Sequence, residues 1–311
     1  MSQLPVGIDP VGGKQVHDVS FDSAGNVYVA GELEGHWGGL CSPSCPTASE
    51  GKAAFLQRLD ANGELSWRRE MDGPDDQMAF AVAAVGASGA VVGGGFETQI
   101  DVAGSSFIAN GSEDGWLASF DSSGALSWAQ SVAAGQNGAG EIDNLEATET
   151  TIYVGGLQAG STPFGAPSVP AIGPYVAALD LAGTPLWVTP LAQQSGRLWR
   201  AHLSVAHDGA VAVGGFLRGQ LAVGGETMDS QTDLGDVVAI PAFLLIDPDG
   251  TLRYGRSFPS VPTVQNIVTS IATAPNGDVV LGGAHSESID LGTGPLPHIA
   301  GQDGFVVRTF P

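Results

Sequence analysis

The chain repeats itself. Five segments read alike: NVYVAGE (Asn26–Glu32), AVVGGGF (Ala90–Phe96), TIYVGGL (Thr151–Leu157), AVAVGGF (Ala210–Phe216) and DVVLGGA (Asp278–Ala284). Their closing glycines, Gly31, Gly95, Gly156, Gly215 and Gly283, lie 64, 61, 59 and 68 residues apart. A second motif follows each of the first four at a steady offset: FLQRLDANGELSW (Phe55–Trp67), WLASFDSSGALSW (Trp116–Trp128), YVAALDLAGTPLW (Tyr175–Trp187) and FLLIDPDGTLRY (Phe243–Tyr254). The fifth, GFVVRTF, runs to Phe310. Self-similarity at a long period marks a repeat architecture, in which one unit cannot bury its apolar face alone.

Each unit supplies four short runs of β-branched and aromatic residues, separated by turn dipeptides such as Asn62-Gly63, Asp208-Gly209, Asp249-Gly250 and Asn276-Gly277. No stretch sustains helical periodicity. A solenoid needs end repeats with a polar outer face, and none is visible. The expected fold is all-β: a five-bladed β-propeller of four-stranded antiparallel blades, in one domain over residues 1–311. The blades fall at about 11–73, 74–135, 136–194, 195–260 and 261–311, with a further strand in 1–10. The fifth unit lacks the fourth strand that ELSWRREMDG or LSWAQSV provides elsewhere. LPVGIDP (Leu4–Pro10) resembles REMDGP (Arg69–Pro74) and is expected to fill that place. The ring then closes by pairing its N- and C-terminal strands, which removes exposed edges. Glycines weaken strands, so their recurrence at one position points to a place too crowded for side chains, near the axis. The recurring Trp67, Trp128, Trp187 and Tyr254 read as packing residues between blades.

The 311 residues, 43% hydrophobic, can bury a sizeable core. The 33 acidic against 11 basic residues give a net charge of −22. Such a surface repels nucleic acid and anionic membranes, which excludes both as default partners. Lys14 and Lys52 are the only lysines. No apolar run reaches the roughly 18 residues of a membrane helix, and Met1–Asp9 lacks the pattern of a signal peptide. The chain is expected to be a monomer. Cys41 and Cys45 share the stretch CSPSCP. They read as a local disulfide of an exported protein, with free thiols, or zinc held with His36 and lacking a fourth ligand, as the alternatives.

The pattern from Phe96 to Val132, FETQIDVAGSSFIANGSEDGWLASFDSSGALSWAQSV, resembles the repeat of a bacterial, myxobacterial-type β-propeller repeat family (SBBP-like repeats). Ser288–Phe310 repeats it, and the fourth unit matches through QLAVGG (Gln220–Gly225) and LGDVV (Leu234–Val238). The first unit departs through CSPSCP, and the third through AIGPYV, where an Asp is expected. The resemblance implies export, to an extracellular, periplasmic or cell-surface location, and a binding role; it carries no catalytic residues. Asp121–Trp128 is also similar to the Asp-box turn of sialidase propellers, with one extra residue, which argues for a hairpin and not for glycoside cleavage.

Catalytic motifs are absent: there is no G-x-S-x-G, H-E-x-x-H or Walker loop. DPDGT at Asp247 has its Gly at the fourth position, unlike an EF-hand, so Asp247 and Asp249 should stabilise their own turn. Asp114, Asp236 and Asp303 should cap loop backbone. One constellation stands out. If the first strand of each blade lines an axial channel, counting back from the turns places Asp18, Val82, Asp143, His202 and Ser270 at one level, with Glu141, Trp199 and Arg200 beside them. Two carboxylates and an imidazole there could bind a polar ligand or cation, or do acid–base work; a water-filled channel lined by small polar groups is the plainer reading. His17, His207, His285 and His298 read as isolated surface residues. Asp75-Asp76 and Glu141/Asp143 read as solvated loop acids, with weak Ca2+ binding as an alternative; no other cofactor is implied. The expected function is a non-enzymatic module that binds a glycan or protein through top-face loops and the channel mouth. A hydrolase or lyase using Asp18, Asp143 and His202, or a metal at the axis, is the second reading; a structural module of a surface assembly is the third.

Overall fold

The computed structural model describes residues 13–34, 51–86, 89–136, 138–159, 163–165, 172–193, 196–223, 225–230, 239–258, 266–286, 288–292, 294–299 and 301–309. Leu4–Pro10, the cysteine stretch and Asp236 lie outside them. The described residues form strands and one short 3-10 turn at Pro163–Gly165, with no α-helix. They fall into two compact units, Met1–Ala171 with Leu179–Leu186, and Ile172–Ala178 with Trp187–Pro311.

In the first unit, β1 (Lys14–Phe21), β2 (Val27–Glu34), β3 (Lys52–Leu59) and β4 (Leu65–Asp72) form an antiparallel meander. The second repeat contributes β5 (Gln77–Val85), β6 (Gly89–Phe96), the short β7 (Gln99–Val102) and β8 (Ser105–Ile108), then β9 (Asp114–Asp121) and β10 (Leu126–Val132). Its sheet runs β10-β9-β6-β5, while β7 pairs with β4 and so covers the outer edge of the first sheet. The third repeat begins with the hairpin of β11 (Gly140–Ala147) and β12 (Thr151–Ala159). Then come β13 (Ile172–Asp180) and β14 (Pro185–Pro190), whose turn belongs to the first unit.

The second unit holds β15 (Ala192–Gln193), β16 (Gly196–Val205), the long β17 (Val211–Val223), β18 (Glu226–Asp229), β19 (Ile240–Ile246) and β20 (Leu252–Ser257) in one sheet, with β18 paired only to the extension of β17. A three-stranded sheet follows, of β21 (Ile267–Thr273), β22 (Val279–His285) and β25 (Asp303–Thr309), with β23 (Ile289–Asp290) and β24 (Pro295–Leu296) as a separate ribbon.

Burial follows the sequence pattern. The inner strands are the most apolar and most buried, and every residue of β6 and β19 is buried, while β22 and β25 of the last sheet are only partly covered. Fourth strands are only half covered, as in β4 and β10. In the first unit Tyr28, Phe96, Trp116 and Phe120 anchor the core. Phe243, Phe258, Leu281 and Phe305 do so in the second.

One turn chemistry recurs at the hairpin ends. Asp60 Oδ1 accepts the N–H groups of Asn62 and Glu64, each at 2.9 Å. Asp121 does the same for Ser123 and Ala125, and Asp180 for Ala182 and Thr184. The glycine at the fourth position closes a turn onto the Asp carbonyl. It sits at positive φ, +84° at Gly63 and +81° at Gly183, a conformation that costs glycine nothing.

These turns receive the recurring tryptophans. Trp67 Nε1 donates to Ser122 O at 2.9 Å, Trp128 Nε1 to Leu181 O at 2.9 Å, and Trp187 Nε1 to Pro248 O at 2.8 Å. Each indole lies against the turn glycine, Gly124, Gly183 or Gly250. The residue two places on adds a second bond: Arg69 Nε to Gly124 O at 2.6 Å, Gln130 Nε2 to Gly183 O at 3.2 Å, and Thr189 Oγ1 to Gly250 O at 2.5 Å. A fourth strand is thus latched onto the strand 3–4 turn of the following repeat.

The repeated glycines have a local cause. Each first strand carries a β-bulge at one register: between Val16 and Asp18, Ala79 and Ala81, Ile142 and Asn144, Trp199 and His202, and Val268 and Ser270. The bulge pushes a carbonyl of the first strand toward the second. A Cβ at Gly31 would overlap Gln15 O, at Gly94 it would overlap Met78 O, and at Gly283 it would overlap Ile267 O. At Gly31 and Gly283 the crowding expected from the sequence is real and its source is the neighbouring bulged strand, whereas at Gly95 a Cβ would meet the Glu113 carboxylate.

Gly31→Ala should therefore destabilise the protein by about 1–3 kcal/mol, since backbone must move to admit the methyl. Gly304→Ala, where the nearest atom lies 3.8 Å from the new Cβ, should be within about 0.5 kcal/mol of wild type in urea denaturation. Equal effects at the two positions would remove the bulge as the reason for the glycine.

Candidate functional site

The first strands β1 and β5 of the first unit run side by side, tied through side chains of β1. Asp18 Oδ2 accepts the Val82 N–H at 2.8 Å, its Oδ1 accepts the Val19 N–H at 2.8 Å, and Ser20 Oγ accepts the Ala84 N–H at 3.0 Å. The second unit uses the same device: Ser204 Oγ on β16 accepts the Thr273 N–H of β21 at 3.0 Å. Asp18 and Ser204 thus hold neighbouring first strands together whatever else they do.

The bulges decide which residues share a level. Pairing places Asp18 opposite Ala30, Ala81 opposite Gly93, Asn144 opposite Gly155, His202 opposite Gly214 and Ser270 opposite Gly282. Val82 lies one residue beyond that level, and Asp143 is itself the bulged residue, aligned with His17 and Phe80. Counting back from the turns misses this because the turns differ in length. Trp199 and Arg200 lie at the bulge of β16. His202 and Ser270 stand on first strands of the second unit, and Asp18, Glu141 and Asp143 on first strands of the first.

Within the first unit, carboxylates gather along β11 and its neighbours. Burial raises the Glu146 carboxyl to about 7, with the Asp18 charge adding to the effect. Asp18 is itself raised by burial, against the pull of its two backbone N–H bonds. Burial lifts Asp143 to about 6; the Asn144 amide, 3.0 Å away, works against it and the Glu141 charge works with it. Glu141 is raised by burial. Glu113, which rests on the backbone at Gly95, is pushed up to about 7 by burial and by the charges of Glu141 and Glu97. Its Oε1 is buried with no hydrogen-bond partner. Glu113 and Glu146 are thus partly protonated at neutral pH. Asp75 and Asp76 are engaged differently: Asp75 bonds Thr98 Oγ1, and Asp76 Oδ1 accepts the Lys52 N–H at 3.0 Å. Among the described residues no three His, Cys, Asp or Glu side chains converge as a metal site would need.

A second group was not legible in the sequence. Gly13, Lys14, Gln15, Glu32, Glu34 and Lys52 line a pocket of about 200 Å3, which brings both lysines of the chain to one place. Glu32 is buried. Its Oε1 accepts from Lys52 Nζ at 2.8 Å, while its Oε2 lies 3.4 Å from His17 Nε2. The Lys52 ammonium is held above its usual range by the Glu32 hydrogen bond and by surrounding carboxylates. His17, read from sequence as an isolated surface residue, has a side chain only 19% exposed, with its ring edge against Phe80. The bulge turns it toward Glu32. His285 is likewise buried, against Phe305. Among the aspartates expected to cap loops, Asp114 accepts the Asn110 and Ala134 N–H groups, and Asp303 accepts the Ile299 N–H.

The raised carboxyls set a pH dependence. Glu113 and Glu146 titrate at about 7 in the folded chain and near the ordinary 4.5 when unfolded, so the folded state binds more protons between those values. Their stabilising contribution is complete below about 4.5 and is lost as the pH rises through about 7. Thermal stability should fall from pH 5 to pH 8, and Glu146→Gln should flatten that fall by about 1–2 kcal/mol after allowance for solvent screening. A Glu146→Gln profile parallel to wild type would contradict the assignment.

No family model and no curated protein matches the chain. Solved structures with some likeness include a protein of unknown function from Dyadobacter fermentans, 11% identical with a TM-score of 0.46, matched over 88% of this chain and 76% of that one. Another is the calcium-binding protein regucalcin from Agrobacterium tumefaciens, 12% identical, TM-score 0.38, over 94% and 75%. A third is a neuraminidase-like protein of A/little yellow-shouldered bat/Guatemala, 9% identical, TM-score 0.41, over 95% and 96%. At these scores none of the three says what this chain binds or does.

Proposed function

We propose that the protein is a non-enzymatic recognition module that binds a hydroxylated ligand, a glycan or a glycan-bearing partner, at the pocket of Lys14, Gln15, Glu32, Glu34 and Lys52. The observation that carries this reading is the mixture of fixed donors and acceptors in so small a space. Both ammonium groups of a chain with net charge −22 are concentrated there, beside a buried carboxylate, a surface carboxylate and an amide. Sugar hydroxyls donate and accept at once, so they satisfy such a wall; an anion would be opposed by Glu32 and Glu34, and a cation by the lysines.

The wider setting belongs to the same proposal. The five repeats form the blades of a propeller, completed at the last sheet by Leu4–Pro10, in an exported monomer whose strand-start loops present the ligand site. The repeat pattern supports this, as does the outer strand β25, where Val306 is 77% exposed. An enzymatic reading, hydrolase or lyase, draws on one observation: Asp143 and Glu146 titrate in the range where general acids and bases work.

Isothermal titration against a panel of oligosaccharides separates the readings. Lys52→Ala should weaken binding at least about tenfold, the effect of losing a charge-assisted hydrogen bond. Binding that is unchanged in Lys52→Ala would contradict the pocket. Turnover of any panel member that is lost in Asp143→Asn with an unchanged melting temperature would establish the enzymatic reading instead.

A further inference from the structure

The chain has few cations, and most of them have an evident partner. Its 11 basic residues less Lys14 and Lys52 leave nine arginines. Arg58 and Arg256 lie over the Tyr28 and Phe258 rings, Arg69 donates to Gly124 O, and Arg253 and Arg308 pair with Asp247 and Asp278. Arg218 departs from this pattern. It is exposed on β17, and no hydrogen bond, ion pair or aromatic ring among the described residues engages it. Its cross-strand neighbour is a second cation, because the register sets Arg218 directly opposite Arg197 of β16.

Directly opposed residues of an antiparallel pair share one face of the sheet, with Cβ atoms about 4.5–5.5 Å apart, and like charges there are destabilising. Carboxylates are not scarce in a chain with 33 acidic residues. Asp229 stands on the adjoining β18, opposite Gln220, yet its carboxylate accepts from the Gln220 amide at 2.7 Å. The ribbon beneath the two arginines is stiff. Gly196 pairs with Gly219 beside them, and a Cβ at Gly196 would overlap the Gln220 backbone. Ser230 Oγ accepts the Gly219 N–H at 2.7 Å, and the Gln193 amide bonds both backbone groups of Ala222 at 3.0 Å. Arg197 is half-buried and has a contact of its own. Two guanidinium groups are thus carried side by side on a fixed support, and a ligand with acidic oxygens would offset their repulsion. Guanidinium forks match the paired oxygens of a carboxylate or a sulfate.

We infer that Arg197 and Arg218 form a binding site for an oxyanion, a carboxylate or sulfate group carried by a ligand. The site shares no residue with the Lys14–Lys52 pocket and does not depend on that pocket binding anything. NMR of the arginine Nε–H groups in the full chain tests it. Trigalacturonate and sodium sulfate are titrated separately in chloride buffer of constant ionic strength, with maltotriose as the neutral control. At least one anion should move the Arg197 and Arg218 signals saturably, and maltotriose should move neither. Arg218→Gln should weaken the apparent Kd, read from Arg197, at least about fivefold, and Arg218→Lys should restore it only in part, since it returns the charge without the fork. In chloride alone Arg218→Gln should melt no lower than wild type, because it removes a repulsion. A response to trigalacturonate places the oxyanion on a saccharide, and a response to sulfate alone makes it a free tetrahedral ion; either supports the site. No saturable shift with either anion overturns the inference. So does an unchanged Kd in Arg218→Gln, or a lower melting temperature of that variant in chloride alone, which would make Arg218 a structural residue.

Discussion

A tryptophan on one repeat, seated on the turn of the next, is the contact on which the rest of the arrangement rests. Each indole supplies a large apolar face to the space between sheets and one N–H to a turn carbonyl. Trp67 also meets Tyr28 and Phe120, and Arg69 stacks over it at 5.6 Å. Such a latch works only if the turn is rigid and its glycine bare. At the turns of Asp121 and Asp180 the Asp side chain supplies the rigidity by bonding two turn amides, and the positive φ of the glycine goes with a residue that has no Cβ. Asp, Gly and Trp at fixed spacing are therefore one device distributed over two repeats.

That device explains why so much of the fold was legible. The antiparallel strands, the hairpin turns and the packing role of the tryptophans all rest on contacts close in sequence or repeated at a fixed period, whereas the short strands β7, β8, β18, β23 and β24 were not expected. The glycines were legible as crowded positions, but the source of the crowding was not, because a bulge is set by pairing register and leaves no mark in composition. The same bulge limited the reading of the site. It moved Asp143 onto the kink and turned His17 inward, so a row counted from the turns mixed two levels. Lys14, Glu32 and Lys52 come from three strands and share no motif; only the rarity of lysine pointed toward them.

The charges divide along the same lines. Turn aspartates such as Asp60 and Asp249 are held below the usual carboxylate range by backbone N–H bonds, so they stay ionised and structural. The carboxyls along β11 are pushed the other way by burial, Asp143 to about 6 and Glu146 to about 7. A chain with such an acidic surface thus keeps a few acids ready to exchange protons. Chemistry is concentrated where the bulged first strands begin, and the hairpin ends are given over to holding the sheets. Tyr254, at the same place in the fourth repeat, has no ring N–H to donate.

Substituting Trp67, Trp128, Trp187 and, as the position without a ring N–H, Tyr254 one at a time with Phe and measuring unfolding free energies in urea tests this account most directly. Trp67→Phe, Trp128→Phe and Trp187→Phe should each cost about 1–2 kcal/mol, from one lost hydrogen bond and some lost apolar contact, while Tyr254→Phe should cost less than about 0.5 kcal/mol. Equal costs at all four positions, or no cost at the tryptophans, would contradict the latch as the interaction that holds the repeats together.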